Sequence, residues 1–214
     1  MKAHALIAFL VLGSALSAAP ITVHNTGVNN IDVVQSIASP TSFWLLESQP
    51  TGAGYTLGTT PFRHYNGAYY ADNALSGWVS PAANGFAGLN GIYVYRMTFD
   101  LTGLNSATAS ISGTFGTDNS GSMSLNGNAP VATTGTGNFN APTSFSFTSG
   151  FVAGINTIRI GVNNEGDPTA FRVEFNRATA DLGGGQAVPE PGTAALLFGG
   201  LALAWAGRKR LKQR

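Results

Sequence analysis

Tyr93-Val94-Tyr95-Arg96-Met97-Thr98-Phe99-Asp100-Leu101 decides the fold class. The odd positions from Tyr93 to Leu101 are all apolar, and Arg96, Thr98 and Asp100 put polarity on the opposite face. A period of two with one apolar face is the pattern of a half-buried β-strand. The alternation returns from Ala107 to Phe115 through Ala109 and Ile111, then at Met123 and Leu125, and again at Phe145 and Phe147. It continues at Ile158, Ile160 and Val162 and closes on Phe171, Val173 and Phe175. Turn formers separate these runs: Asp118-Asn119-Ser120-Gly121, Asn126-Gly127, Gly150, Gly154, and Asn163 to Pro168. No convincing amphipathic helix interrupts them. One-faced strands need a partner surface, and a second sheet supplies it. The prediction is an all-β, antiparallel two-sheet β-sandwich.

Upstream, Ile31 to Ile37 and Phe43 to Leu46 read as short strands separated by Ser39-Pro40. Gln49 to Asn90 is rich in turn formers and holds clustered aromatics: Phe62, Tyr65, Tyr69, Tyr70, Trp78 and Phe86. An irregular stretch of that length is either a loop layer packed on a sheet or a functional surface.

Composition supports the all-β reading: the domain is rich in Gly, Asn, Ser, Thr and Phe and poor in Lys, Glu and Leu, which favour helices. The chain has no cysteine, which removes disulfides, thiol nucleophiles and Cys-based zinc sites. Between Pro20 and Val188 stand five Arg (63, 96, 159, 172 and 177), no Lys and nine acids, a balance of about −4. The overall +1 therefore comes from the ends, with Arg208, Lys209, Arg210, Lys212 and Arg214 at the C-terminus. A mildly acidic domain repels phosphate, so no nucleic-acid partner is expected.

Both ends read as targeting segments. Residues 1–19 have the layout of a secretory signal peptide: Lys2, an apolar run from Ala5 to Leu16, and small residues up to Ala19, with cleavage between Ser17 and Ala19. The exported domain is placed at 20–180, and Gly183-Gly184-Gly185 marks 181–187 as a flexible linker. Residues 188–214 then combine Val188-Pro189-Glu190-Pro191-Gly192, an apolar transmembrane helix over Thr193 to Ala206, and the basic stop Arg208-Lys209-Arg210. The two prolines keep the motif extended and accessible. The cationic cluster stays on the cytoplasmic side of a membrane. The apolar run is nearer 15 residues than the ~20 of a comfortable span, so snorkelling Arg and Lys or local bilayer thinning is required.

In the order of its parts, this tail resembles the PEP-CTERM sorting signal. The resemblance implies export across the inner membrane of a Gram-negative bacterium, transient anchoring there, and an exosortase as partner. It also implies a destination at the cell surface or in an extracellular matrix, associated with exopolysaccharide and biofilm. Tyr93 to Phe99, Asp118-Asn119, Leu125-Asn126-Gly127 and Gly154-Ile155-Asn156-Thr157-Ile158-Arg159-Ile160 are similar to motifs of jelly-roll modules with a galactose-binding-like fold. That resemblance implies a jelly roll and carbohydrate binding, although fold does not fix function.

The residue types that suit a sugar are flat aromatics with short polar side chains beside them. Trp78, Tyr69, Tyr70 and Asp72 fit, and packing at the open end of the sandwich is their other reading. Asp118 and Asp167 are weak calcium candidates, since Asn/Asp/Gly clusters also serve as ordinary turns and neither has a full calcium-loop pattern. No metal or other cofactor is expected. His24 and His64 stand apart from any Ser or Asp motif, as surface or loop residues, and no paired carboxylates are evident for a glycosidase. The expectation is a noncatalytic binding or matrix protein, with a purely structural matrix subunit and a polysaccharide-acting enzyme as alternatives.

Overall fold

The computed structural model describes residues 18–183. Those residues are all-β: two antiparallel sheets with their apolar faces turned to one core, the arrangement of a β-sandwich. The strands are β1 (Ala18–Pro20), β2 (Leu45–Ser48), β3 (Phe62–Arg63), β4 (Val79–Ser80) and β5 (Gly91–Asp100). They continue with β6 (Ser110–Asp118), β7 (Ser120–Leu125), β8 (Ala132–Thr134), β9 (Thr143–Phe147), β10 (Ile155–Asn164) and β11 (Ala170–Asp181). One sheet runs β3-β4-β11-β6-β9 with β1 also on β11, and the other runs β2-β5-β10-β7-β8.

The alternation that predicts β5 also builds the core. Tyr93, Tyr95, Met97 and Phe99 are all buried, as are Ile158, Ile160 and Val162 from β10 beside them. From the opposite sheet come Ile111 and Phe115 of β6 and Phe171 and Val173 of β11. Tyr95 and Phe171 meet across the interface with ring centroids 4.4 Å apart. Each large apolar side chain so buried stabilises the fold by about 1.5–3 kcal/mol. On the outer face of β6 the run of side chains from Ser112 and Thr114 is broken at Gly116, where a Cβ would come within 2.6 Å of the Tyr70 ring. The gap in the pattern is room for an aromatic from the loop layer.

Two expectations need correction. Ile31 to Ile37 does not form a strand: Asn29 Oδ1 accepts the N–H groups of both Ile31 and Val33, and Asp32 takes a φ of 58°. A side-chain-capped turn wins there, leaving Ile31, Val33 and Ile37 exposed, with only a bridge between Val28 and Val34. At the other end, β11 runs beyond Phe175 to Asp181 across a register shift between Phe175 and Arg177. The shift changes the parity of the inward positions, and the residues that resume it, Ala178 and Ala180, are too small to signal it. Leu182 bridges Leu104, and Gly183 N–H donates to Gly103 O, so 181–183 belong to the folded unit.

Of the predicted signal peptide, residues 1–17 lie outside the described residues, whereas Ala18 and Ala19 pair with Asp181 and Ala180 in β1. The motif at 188–192, the apolar run and the basic stop also lie outside them. Among the described residues no helix is long and apolar enough to cross a membrane.

Candidate functional site

Within the turn-rich stretch from Gln49 to Asn90, the segment between β3 and β4 folds as a layer over the first sheet, and two buried arginines fasten it. Arg63 sends Nη1 to the carbonyls of His64 and Trp78 and Nη2 to Asp72 Oδ2 at 2.7 Å. Arg172, from β11, reaches Ser76 Oγ with Nε and Glu174 Oε2 with Nη2, and lies over the Tyr70 ring. Glu174 is held below the usual carboxylate range: burial pushes it up, but bonds from Ser76, Asn73 and Arg172 outweigh that. A planar guanidinium serves several acceptors at once in a fixed fork geometry that a lysine ammonium lacks. Two of the five arginines in a Lys-free domain are used this way.

This scaffold fixes the fate of the aromatic candidates. Trp78 is fully buried, its Nε1 bonded to Tyr70 O and its ring packed against Tyr69 and Tyr70, so no face is open to a ligand. Asp72 has both oxygens engaged, Oδ1 by Trp78 N–H and Oδ2 by Arg63. Tyr70 is half-buried, and burial pushes its phenol up. His64 is buried rather than superficial, and burial followed by the nearby Arg63 charge lowers its pKa, so it is neutral. His24 stacks on Phe43 at 3.5 Å and bonds Asp32.

Tyr69 is the exception. It stands at the end of this cluster, 4% exposed, and its Oη donates to Asp118 Oδ2 at 2.9 Å. Asp118 is the last residue of β6, and the register that sets it opposite Ala170 brings it beside the Asp167-Pro168 loop. The result is a pocket of about 220 Å³ with Tyr69 and Asp118 among its lining residues, alongside Phe139 and Pro168. Asn66, Asn119, Gly166 and Asp167 complete its polar side.

The polar groups there are unevenly used. Asp118 is 5% exposed, yet its Oδ1 makes no hydrogen bond among the described residues and remains reachable by solvent. Burial raises the Asp118 carboxyl above its usual range, and the bond from Tyr69 only partly offsets this. Burial, then the nearby Asp118, pushes the Tyr69 phenol far up in turn, so it remains a donor. Asn119 Oδ1 accepts Glu165 N–H and Asn66 Oδ1 accepts Ala68 N–H, and neither side-chain NH₂ donates to any described residue. The pocket thus offers an acceptor, two amide donors and aromatic walls.

The two calcium candidates, far apart in sequence, line the same pocket. Asp167 is nevertheless occupied, its carboxylate accepting the N–H groups of Ala87 and Gly88. Among the described residues no group of three or more His, Cys, Asp or Glu could hold a metal ion. Of the pocket's members, sequence reasoning named Tyr69, Asp118 and Asp167 in separate roles, took Asn119 only with the turn at Asp118, and missed Phe139, Asn66 and Pro168. Asn66 and Asn119 sit in turn motifs, so nothing in their local sequence separates a ligand contact from turn chemistry. No known protein family matches the chain, and no curated protein does either.

Proposed function

We propose that this chain is an exported, noncatalytic surface or extracellular-matrix protein whose sandwich binds carbohydrate in the Tyr69–Asp118 pocket. Its tail, with Val188 to Gly192, the apolar run and Arg208-Lys209-Arg210, is a PEP-CTERM signal read by an exosortase in the inner membrane of a Gram-negative bacterium. The destination is the cell surface or a matrix rich in exopolysaccharide. The sandwich is a jelly roll of the galactose-binding-like kind. The order β2-β5-β10-β7-β8 opposite β11-β6-β9, in which chain neighbours β5 and β6 fall in different sheets, supports that.

One observation carries the binding reading: a carboxylate that is 5% exposed keeps one oxygen without a partner among the described residues and open to a pocket. Fully burying such an oxygen without a bond would cost about 1–3 kcal/mol, so buried acceptors are normally satisfied. A sugar hydroxyl donating to Asp118 Oδ1, with a neighbouring hydroxyl taken by Asn66 or Asn119 and C–H groups against Phe139, satisfies them all. The volume suits one terminal sugar unit rather than a long chain.

A glycan array with the full chain in detergent, followed by titration of any hit, tests this. Saturable binding lost in Asp118→Ala supports the reading. No glycan binding together with ordered self-assembly would identify a structural matrix subunit instead, and sugar release over time would identify an enzyme.

A further inference from the structure

We propose a second binding site on the outer face of the β2-β5-β10-β7-β8 sheet, where Arg96 takes the carboxylate of an acidic sugar, a uronate unit of a polysaccharide. Arg96 of β5 and Arg159 of β10 are directly opposite each other in the ladder, both on the outer face. Like charges in that position destabilise a sheet unless an anion stands between them. Glu47 of β2 is that anion, paired with both arginines but hydrogen-bonded to one only. Its carboxylate takes Arg159 Nε at 2.6 Å and Nη2 at 2.9 Å, the bidentate geometry, while Arg96 Nε is 4.0 Å from Oε1, beyond hydrogen-bond reach. Two cations share one carboxylate, and the Arg96 guanidinium makes no hydrogen bond among the described residues.

A groove of about 430 Å³ runs over this pair, lined also by Leu46, Leu57, Gly58 and Thr157. That size falls in the range of small-ligand sites. Leu57 is 53% exposed and offers an apolar edge to a ring's C–H face. Thr157 Oγ1 makes no bond among the described residues and lies on the same outer face as Arg159. A second carboxylate completes the charge pattern that Glu47 leaves half-filled. A guanidinium fork matches a carboxylate bidentately. Because the domain as a whole carries surplus acid, long-range attraction contributes little and the fork contact must supply the affinity.

The choice of a saccharide rests on the glycan-binding reading above, and the test separates the two. The full chain in detergent is titrated with an oligogalacturonate, with its carboxyl-reduced neutral counterpart, and with a sulfated oligosaccharide. The oligogalacturonate should bind, and Arg96→Gln should weaken it about 10-fold, the worth of a charge-assisted hydrogen bond. Arg96→Lys should not rescue it, because charge without the fork is insufficient. Asp118→Ala should leave it unchanged while abolishing binding of the neutral glycan. Equal affinity for the carboxyl-reduced form, an unchanged Arg96→Gln, or preference for sulfate overturns the assignment. If the oligogalacturonate fails while the neutral glycan still binds at Asp118, this site alone is wrong; if neither binds, the glycan reading falls with it. Should Arg96→Gln melt early, Thr157→Val with the reduced-ligand arm decides.

Discussion

Tyr69 Oη donates to Asp118 Oδ2 across 2.9 Å, joining the end of the loop layer to the end of β6 and holding one carboxylate oxygen while the other stays open. The bond holds the pocket in shape without filling it. Sites that keep polar groups unsatisfied until a ligand arrives give up stability for function.

Asp118→Asn should therefore stabilise the protein at neutral pH, by on the order of 1 kcal/mol. Asparagine keeps an acceptor for Tyr69 and removes the buried charge. The sign follows from linkage: burial raises the folded pKa of Asp118, so the carboxyl's contribution is fully present below its unfolded pKa and is lost as pH rises through the folded one. The gain from Asp118→Asn should be near zero in acid and grow towards neutrality. Thermal melts across that range check it, and a gain largest at low pH would contradict it.

Gly77 and Gly67 should respond oppositely to alanine. A Cβ at Gly77 would lie 2.4 Å from Arg63 Cζ, so the guanidinium must leave its place between Asp72 and the Trp78 carbonyl. Disturbing a buried ion pair of this kind costs about 3 kcal/mol or more. Gly67 has nothing within 4 Å of its Cβ position and no positive φ, so Gly67→Ala should be neutral or stabilise by about 0.4–1 kcal/mol. Denaturant unfolding of the two variants compares them directly.

The strands were legible where apolar residues recur every second position, as from Tyr93 to Leu101, because burial on one face leaves that mark. What stayed hidden depends on polar contacts between segments distant in sequence. Asn156 is an example: its Oδ1 accepts from Asn126 Nδ2 and Val152 N, while its Nδ2 serves the carbonyls of Val152 and Gly154. In the sequence it is one more asparagine in a strand motif. The pocket was legible only in pieces for the same reason. Tyr69 and Asp118 are 49 residues apart, and only the register of β6 on β11 and the Arg63 clamp bring them together.

The sorting reading gives its own prediction. Replacing Glu190 by alanine leaves the apolar run and basic stop intact but removes the one acid between the two prolines. The full-length precursor should then accumulate in the inner membrane instead of moving outward. Fractionation followed by immunoblotting measures this, and unchanged processing would sink the claim that an exosortase reads the motif.

Trp78 and Phe139 provide the last test, because they separate packing from binding. Trp78 is fully buried among Tyr69 and Tyr70, so Trp78→Ala should cost about 3–5 kcal/mol through the cavity it leaves. Any loss of ligand binding in that variant would follow from disorder of the layer beneath Tyr69. Phe139 is only half-buried, in a 3-10 turn (Asn138–Asn140) at the pocket wall, its ring 6.0 Å from that of Tyr69. Phe139→Ala should cost far less stability and still weaken glycan binding, because it removes apolar surface at the pocket wall while leaving the Arg63 and Arg172 contacts in place. Melting curves should separate the two variants widely, and glycan titration of the still-folded Phe139→Ala reads the contact itself. If Phe139→Ala binds as tightly as the parent protein, the sugar does not lie against this wall.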